Sequence, residues 1–400
     1  MAGLKIEGNL DNVSEPQLGY IKAVIEKRGF KDAKVVIEPV GKAGDNYVAN
    51  VKRITVEGIN GGSLKMIAKV APNLEALRLV ANTQLMFRNE HIMYTKVLPK
   101  FEQLQKAADV PTEERLRFAA CYGSFEEAPN EVILLEDLKE SGFEMLDRFK
   151  SLSNECVRSV LKNFAILHSL SYALKQKEPQ VFEDFKNSFF DMWANVATQE
   201  ETKQYFDQLE SSALMILEND IHKKAIKGVV SGSMNMQAKQ SKINSNSKHS
   251  ADNKPQSIMI DYQISKVSSP VCDIHYMVFN CTDYQTRKEH YIDWIDYYHD
   301  ELDKNLSIFG LKANYVYPRD QLDADLKRHG KMSLGQGVVL GSTLIRKTED
   351  AAKLKEAMES ADLDEMMKTA NTENLDPETL ALFKTKIEGL IDSHLELGFI

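Results

Sequence analysis

The sequence has little cysteine and no long apolar run. Only four of its 400 residues are cysteine, and they show no C-x-x-C spacing. This is too sparse for a disulfide scaffold, and we expect reduced, buried thiols. No stretch approaches the ~18 apolar residues that a bilayer-spanning helix needs, and the opening MAGLKIEGNL lacks the apolar core of a signal peptide. These absences predict a soluble, cytoplasmic protein without a membrane partner.

An excess of positive charge is also missing. Fifty Lys and Arg stand against 59 Asp and Glu, which leaves a formal net charge of −9. Such a charge repels phosphate backbones, so nucleic acid is not expected as a partner. The nine histidines show no ligand-like spacing, so no zinc site is predicted. What the chain does have is an ordinary globular composition at a length that suits two lobes.

The first third of the sequence predicts a small sheet with accompanying helices. A capping-box pattern at Ser14 to Gln17 favours a helix that continues to about residue 28. Strand-like segments follow at residues 34–37, 47–57 and 64–70, and they are typical of an antiparallel meander. Helical spacing extends over residues 75–105, with an expected break at Pro99. Two further strands are predicted at residues 117–122 and 131–135.

Beyond Asp137 the pattern is mainly helical, and one short strand is expected at residues 257–261. This order predicts an α+β fold with a sheet-bearing lobe over residues 1–137 and a larger helical lobe over residues 138–400. The stretch at residues 239–257 is rich in Ser, Asn and Lys and nearly free of apolar side chains. We interpret it as a mobile polar insertion.

Candidate chemistry begins with Lys69, which lies in an apolar strand, and Glu90, which lies on the helix that follows. Kinases position nucleotide phosphates with such a strand lysine and helix glutamate. Taken alone, the two residues could equally be an exposed edge-strand lysine and a solvated glutamate. Asp261 ends a buried apolar strand, where a carboxylate suits Mg²⁺.

Two backbone segments support the same interpretation. A turn containing Gly44, Asp45 and Asn46 could cradle a phosphate with backbone N–H groups, although a plain hairpin turn uses the same residues. The extended segment that includes Glu136 and Leu138 suits the edge of an adenine base. The order and spacing of all these features are more specific than any one of them.

In this arrangement the chain resembles the ecdysteroid-kinase-like proteins of insects, also described as CHK-kinase-like. The resemblance covers roughly residues 10–350 and is carried by these stretches: GKAGDNYVA, MIAKVAP, FRNEHIMYTKVLPKF, VILLEDLKESGF, NFAILHSLSYAL and MIDYQISKVSSPVCDIHYMVF. It implies a two-lobe protein-kinase-like fold similar to choline and aminoglycoside kinases, with ATP and Mg²⁺ as cofactors and a small-molecule ligand such as an ecdysteroid.

The resemblance also implies roles for individual residues. Lys69 would hold phosphates, Glu90 would orient Lys69, and Asp261 would ligate Mg²⁺. Glu136 to Leu138 would frame the base. Asp273 would correspond to a structural carboxylate behind the catalytic loop, or it could simply cap the helix after Pro270.

The chain departs from the family at the catalytic loop, where the pattern H-G-D-x-W-x-x-N corresponds to Ser231 to Ala238. Ser233 then replaces the aspartate that accepts the substrate proton, and Ala238 replaces the amide that completes the metal site. A serine hydroxyl is not a base near neutral pH without a base of its own. Gln237 could replace the missing amide only through a one-residue slip, and His249 could act as the base only from a flexible segment, which orients a side chain poorly.

The sequence therefore supports three hypotheses. The first is a pseudokinase that keeps nucleotide or small-molecule binding, with phosphotransfer absent or very weak. The second is an active ATP-dependent kinase that phosphorylates a hydroxyl of a steroid or another small molecule. The third is a nucleotide-free module that binds a hydrophobic ligand or a partner. Enzymatic activity is left open between them.

Overall fold

A six-stranded sheet occupies the first third of the chain in this computed structural model, which describes residues 3–41, 49–80, 82–191, 200–237, 244–249, 255–360, 369 and 375–400. The strands are β1 Leu4–Gly8, β2 Ala33–Pro39, β3 Asn50–Gly58, β4 Ser63–Val70, β5 Cys121–Phe125 and β6 Val132–Glu136. Their spatial order is β1-β2-β3-β4-β6-β5. The predicted antiparallel meander of β2, β3 and β4 is confirmed. The parallel edge strand β1 was not predicted.

Helix α1, Glu15–Lys27, forms where the capping box predicted it. The Ser14 hydroxyl accepts from the Gln17 backbone N–H, and the Gln17 side chain accepts from the Ser14 N–H at 2.7 Å. The helix buries Ile21, Val24 and Ile25 against one face of the sheet. Each such aliphatic side chain contributes about 1.5–3 kcal/mol on burial. This apolar layer holds β2, β3 and β4 in register.

The helical stretch after β4 is interrupted at a second place besides the one we expected. Its parts are α2 Glu75–Val80, α3 Thr83–Ile92, a π-helical turn Met93–Val97 and α4 Leu98–Ala107. Pro99 lies in the first turn of α4, directly after the π-helical turn, so the expected break there takes the form of a change in helix type and not of an end to the helix. A full interruption falls at Asn82, which has a left-handed φ of 50° and lies between α2 and α3.

The rest of the described chain is mainly helical. The helices are α5 Asn154–Lys177, α6 Pro179–Ser188, α7 Glu200–Ile216, α8 Asp220–Ile226, α9 Val229–Gln237, α10 Val271–Cys281, α11 Tyr284–Ile308, α12 Ala313–Val316, α13 Arg319–Leu344, α14 Thr348–Ser360 and α15 Pro377–Glu396. Their shared core includes the fully buried Trp294 and Tyr298 of α11 and reaches Ile133 and Leu135 of the sheet. The predicted α+β class, with a small sheet and a larger helical part, is confirmed.

Two expectations based on composition can be compared with the structure directly. All four cysteines are free thiols; Cys156 and Cys272 are buried, and the other two are partly buried. Within the described ranges, no helix combines the length and apolar character that crossing a membrane requires.

The polar stretch at residues 239–257 contains regular structure that we did not expect. Strand β7, Asn244–His249, pairs antiparallel with β8, Pro255–Ile260. Residues 244–249 therefore form a strand where the sequence indicated no regular structure, and the mobility of the insertion stays a prediction. A β-ladder is held by backbone hydrogen bonds, which need no apolar side chain, so the polar composition did not reveal it. Residues 238–243 and 250–254 lie outside the described ranges.

Helix α9 replaces most of the loop that we expected at residues 231–238. The Glu210 carboxylate of α7 accepts from the backbone N–H groups of Gly228, Val230 and Ser231 at 2.7, 3.0 and 3.1 Å. It also accepts from the Ser231 hydroxyl at 3.2 Å. A negative side chain thus satisfies the free N–H groups at the start of α9 from another helix.

Glu210→Ala is expected to lower the free energy of unfolding by about 1–2 kcal/mol, the usual cost of losing a helix N-cap. Urea unfolding followed by circular dichroism measures this change. Glu183→Ala is the matched control, because Glu183 forms only an exposed ion pair with Lys186, worth about 0–1 kcal/mol. Equal losses in the two variants would show that Glu210 does not stabilise α9.

Candidate functional site

The structure brings together three residues that the sequence analysis singled out. Lys69 lies near the end of β4, opposite Val51 of β3 and Ile133 of β6. Its Nζ donates to Glu90 Oε2 of α3 at 2.5 Å and to Asp261 Oδ1 at 2.7 Å. The three residues are far apart in the sequence, and the sheet, α3 and the end of β8 place them in contact.

The electrostatics of this cluster are set by burial and by charge pairing. The side chain of Glu90 is 1% exposed, that of Lys69 is 12% exposed and that of Asp261 is 27% exposed. Burial disfavours the charged lysine, but Asp261 and Glu90 outweigh burial and raise the pKa of Lys69. Burial raises the pKa of Glu90, although the charge of Lys69 opposes the shift; when both carboxylates are ionised, two negative charges face one positive charge. The open, Asp261 side of the cluster therefore favours a cation and repels a bare phosphate.

The backbone at Asp261 is held in an uncommon conformation. Its φ is 67°, in the left-handed region that non-glycine residues adopt at a cost of about 1–2 kcal/mol. The next residue, Tyr262, is fully buried, and its ring meets Tyr94 edge to face at 5.4 Å between centroids. The buried tyrosine anchors the chain while the carboxylate of Asp261 points back to Lys69. Strain of this kind is typical of functional sites.

The segment from Glu136 to Leu138, which was predicted to frame a base, forms hydrogen bonds with neighbouring residues of the protein. The Glu136 carboxylate accepts from Arg117, from the Ser141 hydroxyl at 2.9 Å and from the Ala120 N–H at 3.1 Å. Burial opposes the charge, but these donors lower the pKa of Glu136. The Leu138 carbonyl accepts from the N–H of Phe143 at 3.0 Å. The Glu136 carboxylate and the Leu138 carbonyl are therefore both bonded within the protein, and the role of this segment in framing a base stays a prediction.

An ion pair next to this segment was not predicted. Arg53 Nε of β3 donates to Asp137 Oδ2 at 2.5 Å, and the Asp137 side chain is 4% exposed. Arg53 lies opposite Ile67, two residues before Lys69, so Arg53 and Lys69 project from the same face of the sheet. Strand alternation could have placed Arg53 on this face, but nothing in the sequence indicated its partner.

Four predicted site positions lie outside the described residues: Gly44, Asp45 and Asn46 of the turn, and Ala238 of the altered loop. Their roles stay predictions.

Ser233 lies in a helical interface and not in a loop. It is fully buried in α9, and its hydroxyl donates to the Val230 carbonyl at 2.7 Å. A Cβ placed on Gly335 of α13 would come within 2.4 Å of the Ser233 Cβ, so the two helices touch at this point. The expected catalytic-loop conformation is wrong for residues 231–237. Within the described part of the chain, the contacts of Ser233 are with Val230 of α9 and Gly335 of α13, and not with Lys69, Glu90 or Asp261.

Asp273 also differs from one of its two predicted roles. Helix α10 begins after Pro270, and Asp273 lies inside its first turn instead of capping it. His168 Nε2 of α5 lies 3.1 Å from Asp273 Oδ2, and His168 Nδ1 lies 2.8 Å from the Tyr298 hydroxyl. Asp273 therefore belongs to a buried polar network that joins α5, α10 and α11.

The donor set at Asp261 can be compared with what metals require. Among the described residues, no group of three or more His, Cys, Asp and Glu is arranged to hold a metal ion. This argues against a metal site built entirely from protein ligands. Mg²⁺ is commonly held by one or two carboxylates together with phosphate oxygens and water. A single partly exposed carboxylate beside a protonated lysine fits that second kind of site.

Comparison with known proteins gives the family. The search of curated proteins found no match. The ecdysteroid kinase-like family matches residues 43–258 and 243–311, and the two segments together cover more than half of the chain. They overlap at residues 243–258, in the polar stretch that contains β7. The matched region includes Lys69 and Glu90 in the first segment and Asp261 in the second. The chain belongs to the ecdysteroid kinase-like family.

Proposed function

We propose that this chain is a kinase-like protein that binds ATP with Mg²⁺ at Lys69, Glu90 and Asp261, with phosphotransfer absent or very slow. The observation that carries the proposal is the Lys69 amine, held between the buried Glu90 carboxylate and the more exposed Asp261 carboxylate. Kinase-like families use ATP and Mg²⁺, and they bind the triphosphate with such a lysine, its glutamate partner and a metal-binding aspartate.

Each residue would act through its own position. Glu90 is nearly inaccessible to solvent, so it serves to hold the Lys69 amine in place rather than to touch a ligand. Lys69 is protonated and can donate to phosphate oxygens. Asp261 is the more exposed carboxylate and can accept a Mg²⁺ that arrives with the triphosphate. Bound Mg²⁺ would neutralise phosphate charge that the cluster alone repels.

The absence of fast phosphotransfer is supported by the location of Ser233. A positioned base contributes roughly 10²–10⁴ in rate. Ser233 is buried between α9 and α13, and its hydroxyl already donates to Val230. Ser233 therefore cannot accept a proton from a substrate in the cleft. The ligand that would occupy the acceptor side is proposed to be a small molecule, with ecdysteroid-like compounds as the first class to test.

One observation favours an active kinase as a second candidate. In the β7–β8 ladder, Asn244 lies directly opposite Ile260, the residue before Asp261. This register places the backbone of Asn244 at the same end of the ladder as Asp261, and asparagine is a residue type whose amide oxygen Mg²⁺ accepts. Such an enzyme would transfer the γ-phosphoryl group to an alcohol of a small molecule.

A thermal-shift experiment with ATP, in the presence and absence of Mg²⁺, tests nucleotide binding. We expect Mg-ATP to raise the melting temperature, because a ligand that binds the native state stabilises it. The increment due to Mg²⁺ should disappear in Asp261→Asn, which keeps the size of the side chain and removes its charge. Lys69→Met should lose the response to nucleotide altogether.

The control is Lys65→Met, on the same strand, whose lysine forms only an exposed ion pair with Glu140; its response should equal that of the wild type. If Mg-ATP leaves the melting temperature unchanged, the nucleotide-free binding module becomes the better explanation. Sustained ADP production with a sterol acceptor, abolished by Asp261→Asn, would instead establish the active kinase.

A further inference from the structure

The residue next to Glu90 makes an unusual set of contacts. Asn89 is 1% exposed. Its Oδ1 accepts from the Phe190 N–H at 2.9 Å, and its Nδ2 donates to the Phe190 carbonyl at 2.9 Å. The same Nδ2 donates to the Ser265 carbonyl at 3.4 Å. One side chain therefore pairs with both backbone groups of Phe190 and reaches a second segment.

The orientation of this amide is fixed by its partners. The Phe190 N–H can only donate, so it must face the Asn89 oxygen, and the two carbonyls can only accept, so they must face the NH₂ group. A buried backbone group without a partner costs about 1–3 kcal/mol. The Asn89 amide thus satisfies the N–H and the carbonyl of Phe190 and the carbonyl of Ser265 with a single side chain.

The two segments that Asn89 joins border the candidate site. Phe190 follows α6, and Ser265 comes four residues after Asp261. The same segments are also linked to each other, because Lys266 Nζ lies 2.6 Å from Asp191 Oδ2. Asn89 therefore attaches α3 to the part of the helical region that carries Asp261.

Adjacent residues on an α-helix project about 100° apart. Glu90 contacts Lys69 on one side of α3, while Asn89 is bonded on another side. Two attachment points at that angle fix the rotation of the helix about its own axis. If the Asn89 contacts were lost, the buried Phe87 and Ile92 would still pack α3 into the core, but the polar attachment that sets its rotation beside Glu90 would be gone.

We propose that Asn89 is a positioning residue, which fixes the rotation of α3 through Phe190 and Ser265 and so keeps Glu90 on the Lys69 amine. This inference deepens the proposed function. It rests on that function only for the statement that the Lys69–Glu90 pair serves to bind nucleotide. Asn89 would not contact a bound nucleotide directly, because its side chain is buried and already bonded to the backbone of Phe190 and Ser265.

Asn89→Asp is the most discriminating variant, because it keeps the size of the side chain and replaces the NH₂ donor with an oxygen acceptor. The new oxygen would face the carbonyls of Phe190 and Ser265, and the three acceptors would repel one another. Asn89→Ala removes the contacts without adding a charge, and it decides the question if the aspartate variant does not fold.

The measurement is the acetylation rate of Lys69 in the ligand-free protein at pH 9, determined by mass spectrometry after a short pulse of acetic anhydride. Only the neutral amine reacts, and a fall of one pKa unit raises its population about tenfold. We expect Asn89→Asp and Asn89→Ala to raise the Lys69 rate several-fold, and we expect Glu90→Gln to raise it by a similar factor. The exposed Lys304 of α11 serves as the internal reference.

The matched control is Asn305→Asp, in which another buried asparagine loses its bond to the Glu301 carbonyl. It should lower stability without changing Lys69 acetylation. An unchanged Lys69 rate in folded Asn89→Ala, or an equal rise in Asn305→Asp, would overturn the inference. This readout uses no nucleotide, so it remains decisive even if wild-type protein shows no response to Mg-ATP, a result that would refute the proposed function alone.

Discussion

Ser233→Asp is expected to lower the free energy of unfolding by about 3–5 kcal/mol and to create no phosphotransfer. The reason is that an unpaired carboxylate would be buried between α9 and α13, and an uncompensated buried charge has a cost of that size. Ser233 is fully buried, and the backbone of Gly335 leaves no space for a larger side chain. Urea unfolding and an assay of ADP production with Mg-ATP and sterols measure the two effects.

Ser211→Asp is the control for this substitution, because Ser211 is exposed on α7. Its effect should stay within about 0.5 kcal/mol, as is usual for surface changes. If residues 231–238 formed the catalytic loop that the sequence predicted, Ser233→Asp would restore a base instead. A well-folded Ser233→Asp variant that produces ADP would therefore refute the structural interpretation of α9.

Acidification is expected to destabilise the protein strongly between pH 6.5 and pH 4, because two histidines are buried in neutral form. Burial lowers the pKa of His394 to about 3, although its bond to the Leu390 carbonyl opposes the shift. Burial also lowers the pKa of His275, with His394 and His329 adding to the effect. In the unfolded chain both groups take up protons near pH 6.5.

The direction of the pH effect follows from this difference. Each histidine has a low pKa in the native state and an ordinary pKa near 6.5 in the unfolded state. Between these two values the unfolded state binds more protons than the native state, so the free energy of unfolding falls as the pH falls. Each histidine contributes a slope of about 1.4 kcal/mol per pH unit in that range. Above pH 6.5 their stabilising contribution is complete.

His275→Leu isolates one of these contributions. Both ring nitrogens of His275 are buried without a hydrogen-bond partner among the described residues, and the ring packs on Phe279 and Phe399. We expect the leucine variant to be more stable at pH 7 by about 1–3 kcal/mol, the usual cost of an unsatisfied buried polar group. Its slope between pH 6 and pH 5 should be shallower by about 1.4 kcal/mol per unit.

Urea unfolding at pH 7, 6 and 5 measures both effects. His290→Gln is the control, because His290 is partly exposed and its ring contacts Trp294 at the edge of α11; it should leave the slope unchanged. A His275→Leu variant that is less stable at pH 7 and has the wild-type slope would contradict the proposed role of the buried ring.

Local signals predicted their structures well. The bonds of the α1 capping box lie within four consecutive residues, and the alternation of β3 and β4 lies within single strands, so the sequence carries them directly. The Lys69–Glu90 contact was predicted from a pattern of residue types in order, because a strand followed by a helix brings those two positions close.

Structure that depends on distant residues was missed. Helix α9 starts on the carboxylate of Glu210, about 20 residues earlier in the chain, and the sequence around Val229 offers no cap of its own. The ion pair of Arg53 with Asp137 and the contacts of Asn89 with Phe190 join segments separated by 84 and 101 residues. Each of these residues has an ordinary local context, and only the tertiary arrangement gives it a partner.

The Lys69–Asp261 contact has a consequence for how a ligand enters. In the ligand-free cleft each of these two groups already satisfies the other at 2.7 Å. If the proposed function holds, the Lys69–Asp261 contact would have to open for Mg-ATP to bind, with phosphate oxygens then accepting from the ammonium and Mg²⁺ neutralising the carboxylate. Binding would then be an exchange of ionic partners, in which the lost ion pair offsets part of the attraction gained. A ligand that supplies both a metal ion for Asp261 and phosphate oxygens for Lys69 would then be favoured over one that supplies only one of the two.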